Sequence, residues 1–415
     1  MSDDPSSVPP AGRPTSGGPL EGITVVTLEQ AVSAPLCSRT LADLGARVIK
    51  VENPRGGDFA RDYDDVVHGL AAHFVWLNRG KESVALDLKD PRGLALLDRL
   101  LERADVLVSN LAPGATTRLG IDPDQVRQRH PRLVSLEISG YGAGGPLSGK
   151  RAYDLLVQAE SGACATTGSA GAPAKPGPPM ADACTGLYGA ITILAALQER
   201  GRTGKGTTAA VSMFDTMAEL MGYSLTYTRY SGIEQQPVGM GSPAVAPYSA
   251  YRTSDGRTVV LGTTNDAEWQ RLAAIMGRLD LAADDRFLRN PDRVTHRELL
   301  DAVVGAWCAT LTLAEVQDTA DRAGIGNAVY NTPAEVVAHP HLAARERWQT
   351  IDSPVGPLTA LLPPPVVAGQ PLAMGAVPAL GQHTDAVLAE LGIATDELAE
   401  LRATAVIGPP PPTTR

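Results

Sequence analysis

The sequence predicts an α/β protein: a large domain built on a Rossmann-like sheet, with a smaller α+β domain. Three observations predict it. Short β-rich runs alternate with helix-period segments through the first half of the chain. The texture changes near Tyr230, where a hairpin pattern and consecutive helical patterns follow. The chain then returns to the large domain near Asn331. Strands that alternate with helices imply a mostly parallel sheet. Ligands of such sheets bind beyond the carboxyl ends of the strands.

Ile23-Thr24-Val25-Val26-Thr27-Leu28 is the first strand run, and a helix over 35–45 follows, with Pro35 near its start and Gly45 at its stop. Arg47-Val48-Ile49-Lys50-Val51-Glu52 reads as the second strand and Ser83-Val84-Ala85-Leu86-Asp87-Leu88 as the third. Asp90 caps a helix that carries Leu94, Leu97, Leu100 and Leu101 at helical spacing. Asp105 to Val108 and Leu133 to Ile138 are the fourth and fifth strands. In the smaller domain a hairpin over 248–263 turns at Ser254-Asp255-Gly256, and helices are expected over 266–276, 296–310 and 313–323. A helix over 333–337, a hairpin near Gly356 and a helix over 384–391 belong to the return. The expected division is a disordered tail at 1–18, the large domain at 19–225, the small domain at 226–328, the return at 329–405 and a second tail at 406–415. Both tails are Pro-rich, and the first has no apolar core of the kind a signal peptide needs.

Composition narrows the function classes. The net charge is −10 with no long basic run, so neither nucleic acid nor an anionic membrane is expected as a partner. Aromatic content of 4% argues against a stacking surface for single-stranded nucleic acid. Cys37, Cys164, Cys184 and Cys308 have no metal-type spacing and read as reduced, mostly buried thiols of a cytoplasmic protein. No metal is expected: His339 and His341 flank Pro340 without further ligands, and no HExxH occurs. No apolar run is expected to reach transmembrane length.

Two motif matches mislead. Gly140-Tyr141-Gly142-Ala143-Gly144-Gly145 fits a dinucleotide fingerprint, yet Pro146 follows where a helix should open, and the loop belongs to the fifth strand. Gly144 to Lys150 fits a P-loop, but Arg151 stands where a Mg-binding hydroxyl is needed. More informative is the stretch from Tyr153 to Gly206. It runs through Tyr153-Asp154, a small-residue loop, Ala181-Asp182 at the mouth of an apolar helix, and Arg202-Thr203-Gly204-Lys205-Gly206.

Together with Pro19-Leu20-Glu21-Gly22-Ile23, Ala42 to Glu52, Asn78-Arg79-Gly80-Lys81, Asn110-Leu111-Ala112-Pro113-Gly114, Arg118-Leu119-Gly120, Gly140-Tyr141-Gly142 and Leu380 to Asp385, this stretch forms an ordered series. The series resembles the class III CoA-transferase family, also called the CaiB/BaiF family, over roughly residues 19 to 395. The resemblance implies ring-like subunits that interlock as a homodimer. It implies no permanently bound cofactor, with coenzyme A and its acyl thioesters as substrates and a carboxylic acid as acceptor.

It also implies roles. Asp182 aligns with the family's catalytic aspartate. Its carboxylate attacks an acyl-CoA to give a mixed anhydride, then carries CoA as an aspartyl thioester. Only Asp or Glu can serve both as nucleophile and as temporary acyl carrier in this way. An unperturbed Asp, with pKa about 3.9, is ionised at neutral pH and needs no separate base. The bland alternative for Asp182 is an N-cap of the helix. Ala31, Val32, Ser33, Arg79, Lys81, Asn110, Leu111, Arg118 and Arg151 fall in the family's CoA-contact segments, and guanidinium forks suit phosphate oxygens. Tyr153 matches a position lining the active site, against a plain core aromatic. Relatives cover the site with a Gly-rich loop of the small domain, for which Gly239-Met240-Gly241 is the candidate.

Racemases of the same fold carry His immediately before the Asp aligned with Asp154. This chain has Tyr153 there, a poor base at neutral pH with its pKa near 10. A racemase and a non-catalytic CoA-ester binder are therefore the alternative readings. Tyr153 to Gly162, Thr166-Thr167-Gly168 and Pro173-Ala174-Lys175 resemble members that act on short dicarboxylates with succinyl-CoA as donor. Lys175 and Arg39 are the candidate cations for the acceptor carboxylate.

Overall fold

The computed structural model describes residues 18–366, 368 and 374–409. The expected tails at 1–17 and 410–415 lie outside the described residues. The chain divides into two compact units. The first takes the residues up to Ser161, Gly177–Leu220 and those from Arg345 on; the second takes Gly162–Pro176 and Met221–Ala344.

The first unit is an α/β fold around a six-stranded parallel sheet. Its strands are β1 (Thr24–Leu28), β2 (Arg47–Glu52), β3 (Lys81–Ala85), β4 (Val106–Ser109), β5 (Val134–Ser139) and β6 (Thr208–Ser212). They lie in the order β3-β2-β1-β4-β5-β6. Strand order reverses between β1 and β4, and in such sheets ligands bind beyond the carboxyl ends of the strands at this point. The segment from Glu29 to Ser33 and the pair Asn110-Leu111 occupy this point.

Alternation along the strands feeds two apolar layers. Val25 of β1 packs with Leu136, Ile138, Ala190 and Ile193 on one face. There α1 (Ser33–Asp43) and the long α5 (Met180–Thr203) cover the sheet. Val26 packs on the other face with Leu97 and Leu101 of α3 (Pro91–Glu102) and with Val387, Leu388 and Leu398 from the C-terminal return. Two shorter helices bear on the site: α2 (Ala72–Asn78) and α4 (Asp154–Glu160). By length and mean hydropathy α5 is the one unbroken helix among the described residues that could cross a membrane, contrary to the sequence expectation. Ala181, Gly186, Gly189 and Ile193 are nevertheless buried within this unit, as a core helix requires.

Glycine sets the depth of the α1–α5 contact. A Cβ on Gly186 would lie 2.5 Å from the Ser33 carbonyl oxygen, and one on Gly189 3.1 Å from the Cys37 sulphur. The two backbones meet at the start of α1, which fixes the first turn of α5 beside Ser33.

The third strand differs from its expected span. Leu86 keeps one bond to β2, its N–H donating to the Glu52 carbonyl at 2.9 Å, and beyond it the C-terminal segment takes the backbone: the Asp87 N–H donates to the Val406 carbonyl at 2.8 Å, and Leu86 bridges Ile407. Val406 and Ile407 are 1% and 2% exposed, so the C-terminal tail does not begin at 406.

The second unit holds the antiparallel strands β7 (Tyr248–Arg252), β8 (Thr258–Gly262) and β9 (Gly326–Val329), in the order β9-β8-β7. Helices Asp266–Ile275, Arg297–Cys308 and Leu313–Arg322 cover them through Trp269, Leu272, Leu300, Val304 and Val316. Residues 329–344 stay with this unit, where the Arg257–Glu335 pair closes at 3.0 Å. Gly162–Pro176 also joins it, as the Gly239 N–H donates to the Gly168 carbonyl at 2.6 Å.

Candidate active site

Asp182 lies in the first turn of α5, three residues after the N-cap position at Pro179. Proline has no side-chain acceptor for the exposed helix amides, though its carbonyl accepts the Ala183 N–H at 2.8 Å. The acceptor comes from Asp154 instead. Its Oδ1 accepts the Ala181 N–H at 2.9 Å and the Asp182 N–H at 3.3 Å. Gln158 Nε2 donates to the other oxygen, Oδ2, at 2.6 Å. Asp182 is therefore not the cap of its own helix, which removes the bland reading of this residue. Its half-buried carboxylate lies beside the Ser33 side chain.

Electrostatics here differ from the sequence expectation of an ordinary Asp. Burial, then the neighbouring Asp154 carboxylate, push the Asp182 pKa up to about 7, with the nearby Ser33 hydroxyl acting in the opposite sense. At neutral pH the ligand-free enzyme divides between carboxylate and acid.

The first-strand loop is held from two sides. Asn110 Oδ1 accepts the Gln30 N–H at 2.9 Å, while Asn110 Nδ2 donates to the Gln30 carbonyl at 2.9 Å and to Ser33 Oγ at 3.4 Å. Ala31 adopts the left-handed region, with φ 64°, and its N–H donates to Asp58 Oδ1 at 3.0 Å. Asp58 in turn receives Lys50 Nζ at 2.7 Å. Ala31, Val32, Ser33 and Asn110 thus come together beside Asp182, with Val32 packed against Leu36, Leu77 and Ala183. Leu111 is half-buried against the apolar layer that contains α3.

Two expected CoA contacts are instead interior cations. Arg79 is 3% exposed, and its Nη2 lies 3.0 Å from Asp43. Lys81 is 3% exposed, with Nζ donating to Glu29 at 2.6 Å, the Pro35 carbonyl at 3.0 Å and Asn78 at 3.0 Å. Both are paired in the interior, although Arg79 Nε has no hydrogen-bond partner. Arg39 is likewise buried, its Nε 3.5 Å from Asp43, and so is not placed to receive an acceptor carboxylate. Arg118, at the end of the short helix Ala115–Arg118, and Arg151 are exposed. Lys175 is exposed in the second unit and donates to the Pro176 carbonyl at 2.8 Å.

Tyr153 is 56% exposed at the N-cap of α4, which excludes a core role. Tyr63 is a neighbour of Asp182 that the sequence did not reveal. Burial pushes its hydroxyl pKa up, and Asp58, Asp182 and Tyr153 all contribute in the same direction, which puts it in their vicinity. Its ring lies tilted against Phe59 and edge-on to His73, with ring centroids 5.8 and 5.6 Å away. Among the described residues no group of three or more His, Cys, Asp or Glu is placed to hold a metal.

The profile of CoA-transferase family III matches residues 20–384. The chain belongs to this family. It is 31% identical to the succinyl-CoA–D-citramalate CoA-transferase of Chloroflexus aurantiacus, over 94% of this chain and 98% of that one. The succinate–glutarate CoA-transferase of Agrobacterium fabrum is 33% identical, over 91% and 97%. A CaiB/BaiF family protein of Brucella suis has a TM-score of 0.78 at 33% identity, over 90% of this chain and 99% of that one. This protein is therefore a family III CoA-transferase, an enzyme whose substrates are CoA thioesters and carboxylic acids.

Proposed function

We propose that this CoA-transferase moves CoA from succinyl-CoA to a short dicarboxylic acid through covalent intermediates on Asp182. One Asp182 oxygen attacks the thioester carbonyl, the C–S bond breaks, and CoA leaves as thiolate. The thiolate attacks the aspartyl carbonyl of the resulting mixed anhydride, which releases succinate and leaves an aspartyl-CoA thioester. The acceptor carboxylate then attacks that thioester, expelling CoA thiolate again. Thiolate attack on the acceptor's acyl carbon frees the Asp182 carboxylate. A thioester is exchanged for a thioester, so no ATP is needed.

The observation that carries this reading is the position of Asp182: a half-buried carboxylate, facing Ser33, beside the strand-order switch. Its raised pKa makes it a stronger nucleophile once ionised. The dicarboxylate assignment draws on the relatives, named for citramalate and glutarate. Arg118 and Arg151 are the exposed guanidinium groups assigned to the CoA phosphates. The large unit serves as a Rossmann-like CoA-binding domain, and the working form is a ring-like interlocked homodimer. Helix Gly222–Ser231 supports the dimer: none of its residues is buried, and Tyr223, Leu225, Tyr227 and Tyr230 are all exposed. Free Cys37, Cys164, Cys184 and Cys308 favour a cytoplasmic setting.

The test is chromatography of CoA thioesters after incubation with succinyl-CoA and single acids. New CoA esters of short dicarboxylates are expected. Transfer to monocarboxylates alone would overturn the dicarboxylate assignment.

A further inference from the structure

The helix that carries the nucleophile has no cap in its own sequence, and the group that supplies one is a second carboxylate. Asp154 reaches across from α4 to take two amide N–H groups of α5, one of them the N–H of Asp182 itself. Gln158 clamps its remaining oxygen at 2.6 Å, so the carboxylate cannot swing away without breaking a further bond. The α1–α5 contact at Gly186, one turn further along the helix on the same face as Asp182, sets α5 against Ser33. Asp182 is thus pinned between Ser33 and Asp154.

A cap alone needs only an acceptor; Asn or Ser would serve as well. A negative charge here does something more. The amino end of a helix carries partial positive charge that would stabilise the Asp182 carboxylate. Asp154 occupies two of those amides and adds a like charge. Both effects disfavour the ionised nucleophile. The mixed anhydride and the aspartyl thioester are uncharged at Asp182, so the repulsion exists in the free enzyme and disappears on acylation.

We propose that Asp154 is a positioning residue for the transfer reaction. It holds the backbone of Asp182 in place and keeps a negative charge against the carboxylate, so that forming the covalent intermediate relieves like-charge repulsion. This rests on Asp182 being the nucleophile. The titratable groups around Asp182 are Asp154 and Tyr153 from α4, Tyr63 from the segment after β2, with Asp58 near Tyr63, and Cys184 on α5. Burial raises the Cys184 thiol, and Tyr63 is raised as well, so both stay neutral through the neutral range.

The experiment is single-turnover labelling of the full-length enzyme with succinyl-CoA, trapped with hydroxylamine. The rate at the Asp182 peptide is followed against pH for wild type, Asp154→Asn and Asp154→Ser, with thermal melts alongside. Wild type should gain rate through a limb at about pH 7. In both variants that limb should move to lower pH by about one unit, since a like charge is lost while a cap acceptor is kept. A limb unmoved in the variant that folds overturns the proposal, leaving Asp154 as a cap. No label on Asp182 in wild type removes the nucleophile reading, and this proposal with it.

Discussion

Glu29 and Asp182 each have a serine of α1 beside them, yet their surroundings drive them in opposite directions. Ser38 Oγ donates to Glu29 at 2.6 Å, and the Ser33 side chain lies beside Asp182. Burial pushes both carboxylates toward the neutral form. Around Glu29, Lys81 at 2.6 Å and Lys50 at 3.4 Å more than offset burial and hold its pKa below the usual range. Around Asp182 the neighbour is another carboxylate, and the pKa rises to about 7. The sign of the neighbour separates a carboxylate locked into the architecture from one available for covalent chemistry.

The sharpest way to break this contrast is to remove the carboxylate proposed as nucleophile. Asp182→Asn should lower CoA transfer by about 10³-fold or more, measured as new thioester formed. Its stability should move the other way. Because the folded-state pKa lies above the unfolded value, about 3.8 to 3.9, the contribution of Asp182 to stability is present at low pH. It is lost as pH rises through about 7. The melting temperature of Asp182→Asn should therefore depend less on pH over that window, and exceed wild type above it.

Lys81→Met tests the opposite pole. It leaves Glu29, fully buried, with Lys50 at 3.4 Å as its remaining cation. Breaking such a pair costs about 3–5 kcal/mol, which urea unfolding would read. A gain in stability would show that the buried network is dispensable.

Gly186→Ala asks whether the α1–α5 contact positions the site. The added Cβ meets the Ser33 carbonyl oxygen at 2.5 Å, which is backbone and cannot turn aside. A stability loss of about 1–3 kcal/mol and a fall in kcat are expected. The smallest effect should come from Arg118→Ala, with KM for acyl-CoA raised about tenfold and kcat little changed, in keeping with loss of one charged hydrogen bond. Equal KM values would remove Arg118 from the CoA phosphates.

The parallel sheet was legible in the sequence because β1, β2, β4 and β5 are dense in β-branched and apolar residues between clear breakers. β6 was not: Thr-Ala-Ala-Val-Ser has small, partly exposed side chains at a sheet edge. Asp182 stood out through its place in an ordered series of motifs. The partners that set its chemistry did not. Asp154 caps α5 from 27 residues upstream, and local cap signals cannot report that. Arg79 and Lys81 were misread for the same reason. Their partners Asp43 and Glu29 lie 36 and 52 residues away, and charge in a sequence does not say what neutralises it in the fold.

Asp182 as the carrier of CoA is the claim on which the rest depends. Peptide mass spectrometry after mixing the protein with succinyl-CoA, with and without hydroxylamine, tests it most directly. The expected result is a CoA adduct on the peptide containing Asp182, replaced by a hydroxamate when hydroxylamine is present. Transfer activity with that peptide unmodified across a panel of acyl-CoAs would contradict the account.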